Sequence, residues 1–308
     1  MKPAFVFAGQ GSQRVGMGAD LYERYPVYQQ AFDDVDPDGH LKRLCFEGPQ
    51  AELDQTRNTQ PALVAFSVAT TALLESAGIL PEMVAGLSIG EYPALCAAGV
   101  FTPRQAVEIA AFRGKVMEEA VAGRESGMVA VLGLDREPLE QACREASALG
   151  VVEPTNYNCP GQIVISGDKA AVDRAVELAQ EAGAAKCIPL AVSGPFHTSL
   201  MAPAADRIHE YFESVTFGQM RVPVVFGTTG MPLGEGETVQ GLLERQLKSS
   251  IHFEDIVRYM LGAGVGTIVE IGPNSTLLKL VRRTTREIEV MSVHDVDSFE
   301  KTIEKLAR

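Results

Sequence analysis

Gly86-Leu87-Ser88-Ile89-Gly90 sets one serine between two glycines. A short apolar run, Met83 to Ala85, enters it, and a helix-compatible run, Glu91 to Ala98, leaves it. Gly-x-Ser-x-Gly between a strand and a helix has the form of a nucleophile elbow, in which a strained turn holds the serine. The glycines have a mechanical reason to be there, because a Cβ would obstruct a tight turn packed beside a helix. The hydroxyl then projects at a helix N-terminus, where free N–H groups and the dipole favour a developing negative charge. The alternative is a Gly/Ser loop opening an ordinary helix.

A serine needs a base to take its proton. The chain has five histidines: His40, His197, His209, His252 and His294. His40, His209 and His294 stand among polar residues. His197 follows a strand and Gly194-Pro195 and opens a helix, and catalytic groups collect on such loops at strand ends. It is the first candidate for the base and His252 the second; a helix-capping or packed histidine is the bland alternative. Arg113 follows Phe112 on a helix whose face is partly apolar. A buried guanidinium requires a partner. It can hold a substrate carboxylate bidentately, or it can form a structural ion pair with an Asp or Glu.

The elements that must position these groups read as an α/β protein. Ala4 to Ala8 is a buried strand running into the glycine-rich loop Gly9-Gln10-Gly11-Ser12-Gln13. A dinucleotide fingerprint wants glycine where Arg14 stands, and a P-loop wants Gly-Lys-Ser/Thr, which Gly16-Met17-Gly18 does not supply. The loop is better suited to bringing backbone N–H groups to a ligand oxygen. Helical spacing covers Asp20 to Asp33, Gln60 to Ala77 with Pro61 in its first turn, and Thr102 to Ala120. Between Ser126 and Val192 the order becomes β-α-β-β-α-β, the split βαβ or ferredoxin-like unit. Strands alternate with helices again from Val224 to the end, which predicts a mainly parallel sheet covered on both faces.

Composition narrows the function. The 308 residues are 46% apolar, enough for a full core. A net charge of −13 opposes general binding to nucleic acid or anionic membranes. The lack of Trp argues against a base-stacking platform. Five scattered cysteines, none in Cys-x-x-Cys, indicate neither a disulfide framework nor a zinc site. The start of the chain turns glycine-rich too early for a signal peptide, so the cytoplasm is expected.

Seven motifs occur in one order: Gly9-Gln10-Gly11-Ser12-Gln13, Thr59-Gln60-Pro61-Ala62, Gly86-x-Ser88-x-Gly90-Glu91, Phe112-Arg113-Gly114, Asn158-Cys159-Pro160-Gly161-Gln162, Pro195-Phe196-His197 and Gly272-Pro273. With them the chain resembles the malonyl-CoA:acyl-carrier-protein transacylases over nearly its whole length. The resemblance implies an α/β-hydrolase-like large domain (1–125 and 193–308) and an inserted ferredoxin-like domain (126–192), with the site between them. It implies Ser88 as nucleophile, His197 as base, and the backbone N–H groups of Gln10 and Ile89 as oxyanion hole. Arg113 would grip the malonate carboxylate, with Met117, Asn158 and Phe196 also lining the substrate. A backbone carbonyl from Ser250-Ile251-His252 would orient the imidazole. His252 stands where the family commonly has glutamine, and Leu87 where it usually has histidine. Phe196 matches related domains that prefer malonyl over methylmalonyl units.

The implied substrate is a coenzyme A thioester, with no permanently bound cofactor and no metal. The implied partner is an acyl carrier protein, and a monomer is expected. Carrier proteins of this kind are acidic, so docking needs a local basic patch. Lys279, Arg282, Arg283 and Arg286 are the candidates, and an ordinary solvated helix face is the alternative. Two other functions stay open. An acyl-thioester hydrolase would use the same Ser88 and His197, and a non-catalytic nucleotide-binding protein would use the Gly9–Gly11 loop.

Overall fold

A computed structural model describes residues 2–190 and 194–306. The expected domain boundary at 192/193 and Ala307, the expected end of the last helix, lie outside the described residues. The strands are β1 (Ala4–Phe7), β2 (Met83–Gly86), β3 (Ser126–Leu132), β4 (Val152–Cys159), β5 (Gln162–Asp168), β6 (Lys186–Pro189), β7 (Val224–Phe226), β8 (Met231–Pro232), β9 (Thr267–Ile271) and β10 (Glu289–Val293). The fold is α/β, and its contacts divide into two compact units.

The first unit comprises Met1–Lys115, Thr216–Phe226 and Arg258–Arg308. Here β10, β9, β1, β2 and β7 lie side by side in that order, each parallel to its neighbours. Every residue of β1 and β2 is buried. Alternate side chains point to opposite faces, so burial of all of them means that both faces are covered. That is why these strands read as unbroken apolar runs.

The second unit comprises Val116–Val215 and Gly227–Val257. Its antiparallel sheet has the order β4-β5-β3-β6. Helices Arg136–Ala146 and Lys169–Glu181 bury Leu139, Cys143, Val172 and Ala175 against Val131, Ile163 and Ile165 of that sheet. The expected β-α-β-β-α-β order is thus present as an antiparallel sheet with two helices. Cys159 pairs with Gln162 across Pro160-Gly161, and Gly161 takes a positive φ of 69°, as the residue after proline in a type II turn does. Strand β4 shifts register twice, between Pro154 and Asn156 and between Tyr157 and Cys159.

Two helical expectations change, and two short helices are added. Residues 20–33 form two helices, Ala19–Arg24 and Pro26–Val35, because proline drives the residue before it out of the helical region and Tyr25 is extended. Two short helices, His40–Phe46 and Gln50–Leu53, precede the long one. The long helix spans Thr56–Ser76, so Pro61 lies inside it and not in its first turn. Among the described residues no helix is long and apolar enough to cross a membrane. No group of three or more His, Cys, Asp or Glu among them is placed to hold a metal ion.

Candidate active site

Strand β2 delivers the serine. Leu87 N–H donates to the Phe7 carbonyl at 2.9 Å, and the chain then turns into a 3-10 segment, Ser88–Gly90, continuous with the helix Glu91–Ala97. A Cβ on Gly86 would lie 2.0 Å from the Gly90 carbonyl carbon, and one on Gly90 would lie 2.2 Å from the Phe7 oxygen. Both glycines are therefore sterically required. Ser88 itself has φ 54°, and among the described residues the only other non-glycine with positive φ is His197, at 62°. Such backbone costs on the order of 1–3 kcal/mol and clusters at functional sites.

The Gly9-Gln10 turn abuts this elbow, since a Cβ on Gly9 would lie 2.6 Å from the Leu87 oxygen. Gln10 Nε2 donates to Thr56 Oγ1 at 3.0 Å, and Gln60 Nε2 reaches Gln10 Oε1 at 3.4 Å. Gln60 Oε1 in turn accepts from Arg113 Nη1 at 2.8 Å. Arg113 is fully buried, and its Nη2 donates to Ser88 Oγ at 3.2 Å. The guanidinium also lies over the Tyr92 ring, 5.6 Å from its centroid. Burial lowers its pKa, while Tyr92 and the Glu91 carboxylate act in the opposite direction. A guanidinium remains charged even so. One unit thus brings Gln10, Ser88, Ile89 and Arg113 together.

The other unit holds His197, Met117, Asn158, Phe196 and the 250–252 segment. His197 is almost fully buried, and its Nδ1 lies 2.7 Å from the Gln246 carbonyl oxygen. A carbonyl can only accept, so Nδ1 carries the proton and Nε2 is the basic nitrogen of the neutral ring. Gln246 belongs to the last turn of the helix Val239–Leu247. Carbonyls there lack intrahelical donors and sit at the negative end of the dipole, which favours an imidazolium. The expected helix after His197 begins five residues later, at Ala202, behind a short 3-10 turn at Ser199–Met201.

This corrects the expected histidine-orienting segment. Ser250, Ile251 and His252 do not supply the carbonyl. Ser250 Oγ donates to the Pro154 carbonyl at 2.6 Å. Ile251 pairs with β4 through Ile251 N–H to Thr155 oxygen and Tyr157 N–H to Ile251 oxygen, both 2.8 Å. His252 is stacked on Tyr157 with centroids 4.9 Å apart and bonds Asp255 Oδ2 through Nδ1 at 3.1 Å. Its other candidacy, as the base, is therefore not supported: it is tied into a cluster with Asp255 and Arg136. The His252 hydrogen bond, and then the Arg136 guanidinium, hold the Asp255 carboxyl well below the usual carboxylate range. A depressed acid stabilises the fold above its unfolded value and loses that contribution as pH falls through the acid range. Asp255→Asn should therefore destabilise at pH 7 by about 0.5–1 kcal/mol for this partly exposed group, with the difference shrinking below about pH 4. Paired urea melts at pH 7 and pH 3 check this.

Asn158 is the extra residue at the second register shift of β4, where a bulge re-aims a side chain. Its buried Oδ1 has no hydrogen-bond partner among the described residues. Met117 and Phe196 are buried. Met117 lies four residues beyond Arg113 on the helix Pro103–Ala120, and so on the same face. Lys279, Arg282, Arg283 and Arg286 are exposed, on or just after the helix Thr276–Thr284, whose Leu277, Leu278, Leu280 and Val281 are buried. Gln60 and Tyr92, which contact Arg113, are not among the residues that motif and spacing single out. The signal for Gln60 is its place in Thr59-Gln60-Pro61-Ala62.

Residues 4–302 match the acyl transferase domain model. The malonyl CoA-acyl carrier protein transacylase of Bacillus subtilis (strain 168) is 41% identical over 99% of this chain and 97% of its own length. The crystal structure of MCAT from Streptococcus pneumoniae superposes with a TM-score of 0.93 at 44% identity, covering 99% of this chain and 100% of that one. A type II PKS acyl-carrier protein in complex with its malonyl-transacylase contains a chain with TM-score 0.94 and 39% identity, again covering 99% and 100%. The chain belongs to the malonyl-CoA:acyl-carrier-protein transacylase family.

Proposed function

We propose that this protein transfers a malonyl group from coenzyme A to the phosphopantetheine thiol of an acyl carrier protein, in fatty-acid or polyketide synthesis. The observation that carries this reading is Arg113, fully buried with one guanidinium nitrogen 3.2 Å from the Ser88 hydroxyl oxygen. A buried cation beside a nucleophile selects an acyl group that carries its own carboxylate.

In the proposed relay the malonyl carboxylate binds Arg113, with Met117, Asn158 and Phe196 lining the acyl group. His197 Nε2 takes the Ser88 proton as Oγ attacks the thioester carbon. The oxyanion is received by the N–H groups of Gln10 and Ile89, each such donor being worth about 2.7–4 kcal/mol in comparable sites. The Gln246 carbonyl supports the imidazolium that forms. Collapse of the tetrahedral intermediate breaks the C–S bond, and the imidazolium returns its proton to the departing CoA thiolate. The carrier thiol then attacks malonyl-Ser88 in the reverse sense. This is ping-pong chemistry with a CoA thioester as substrate and no permanent cofactor or metal.

The reading includes an α/β-hydrolase-like body (1–125 and 193–308) with a ferredoxin-like insertion (126–192), supported by the parallel and antiparallel sheets respectively. It also takes the enzyme to be a cytoplasmic monomer and Lys279, Arg282, Arg283 and Arg286 to be the carrier-docking patch. The test is direct. Incubated with malonyl-CoA alone, the enzyme should release malonate slowly; added carrier protein should be loaded at least about a hundredfold faster, as expected when a positioned thiol outcompetes water. Reversing Arg282 and Arg283 to Glu should raise the carrier KM and leave the KM for malonyl-CoA unchanged. Equal release with and without carrier would instead mark a hydrolase.

A further inference from the structure

The carbonyl that holds His197 is a main-chain atom at a helix end, and helix ends fray unless they are tied. Two adjacent hydroxyls do the tying. Ser249 Oγ donates to the Arg245 carbonyl at 2.8 Å, which Lys248 N–H also reaches at 3.1 Å. These bonds close the last turn on the carbonyl next to Gln246, and the Gln246 oxygen faces His197 Nδ1 at 2.7 Å. Four residues beyond Gln246, Ser250 Oγ donates to the Pro154 carbonyl at 2.6 Å. Pro154 and Thr155 lie at the first register shift of β4, where a bulge disrupts the ladder and leaves backbone groups to find other partners. Ile251 N–H takes the Thr155 carbonyl at 2.8 Å. The link between helix and strand is therefore pinned at both ends, and neither serine bonds to His197.

We propose that Ser249 and Ser250 are positioning residues for the acyl transfer, a hydroxyl clasp that sets where the Gln246 carbonyl meets His197. The inference rests on the acyl-transfer reading for its kinetic consequence, though not for its effect on the imidazole. A serine that merely filled space at this loop would affect stability alone. A clasp must change the acidity of His197, because the carbonyl stabilises the imidazolium more than the neutral ring.

The test uses Ser250→Ala, Ser249→Ala, the double variant and Ser250→Thr, which keeps the hydroxyl. NMR titration of the His197 ring should give a pKa lower by about half a unit in Ser250→Ala than in wild type, a modest loss of differential interaction. Ser250→Thr should restore it. In carrier-loading assays Ser250→Ala should lower kcat about tenfold, equivalent to about 1.4 kcal/mol of barrier, with KM for malonyl-CoA unchanged and the acid limb of kcat/KM moved to lower pH. The double variant should be more severe than either single. If Ser250→Ala does not stay folded, Ser250→Cys, with a weak donor of similar size, carries the same readout. An unmoved His197 pKa in a folded variant overturns the clasp. A shifted pKa in an enzyme whose wild type loads no carrier protein supports the clasp and overturns the acyl-transfer reading instead.

Discussion

Ser88→Ala should abolish transfer. Brief exposure of the wild type to malonyl-CoA, followed by proteolysis and mass spectrometry, should place a malonyl ester on the peptide containing Ser88, and the variant should show none. Carrier loading should fall by at least about 10⁴-fold, the scale on which removal of a nucleophile leaves only binding and oxyanion stabilisation. The fold should survive. The hydroxyl is half-buried and alanine is smaller, so the variant clashes with nothing. The turn is defined by main-chain contacts of Gly86 and Gly90 with Gly90 and Phe7, which this change does not touch. Unchanged loading in the variant would remove Ser88 from the chemistry altogether.

The second large effect belongs to Arg113. Arg113→Ala should cost malonyl transfer about 10²–10³-fold, since truncating one partner of a buried charge pair typically costs 2–5 kcal/mol. Donors without a carboxylate, such as acetyl-CoA, should lose far less and overtake malonyl-CoA in kcat/KM. The site would then offer the Gln60 amide and the Tyr92 ring in place of the guanidinium. Arg113→Lys should recover only part of the malonyl rate. An ammonium is a point charge and cannot span Gln60 Oε1 and Ser88 Oγ with the two nitrogens of a planar fork. A panel of acyl-CoA donors assayed for carrier loading decides it. An unchanged donor ranking would make Arg113 a structural residue.

The parts of the site that could be read from the sequence are those fixed by residue type at short range. The elbow is legible because only glycine tolerates the 2.0 and 2.2 Å approaches at 86 and 90, and because Ser88 lies between them. Strands β1 and β2 are legible because apolar runs follow from burial on both faces. The Gln246 contact is not legible, since any residue could supply that carbonyl and only the end of one helix decides which residue does. Placing it at 250–252 followed the family motif and missed by four residues. Arg113 illustrates the same limit. Its burial could be argued from Phe112, but its amide partner comes from a helix more than fifty positions away. Pro61 points to a helix start because proline usually opens a helix; here the helix starts at Thr56 and tolerates it. Tyr25-Pro26 could have been read correctly, as the rule for the residue before proline was sufficient there.

The left-handed backbone at Ser88 and His197 sets a ceiling for thermostabilisation. Glycine at either place would relax the main chain, yet it would discard the side chain for which the conformation exists. Consensus or loop-rigidifying schemes that score residues by conformational ease will therefore flag these two positions first, and must be told to leave them alone. Any gain in melting temperature has to be sought elsewhere in the molecule, with Ser88 and His197 left in their costly geometry.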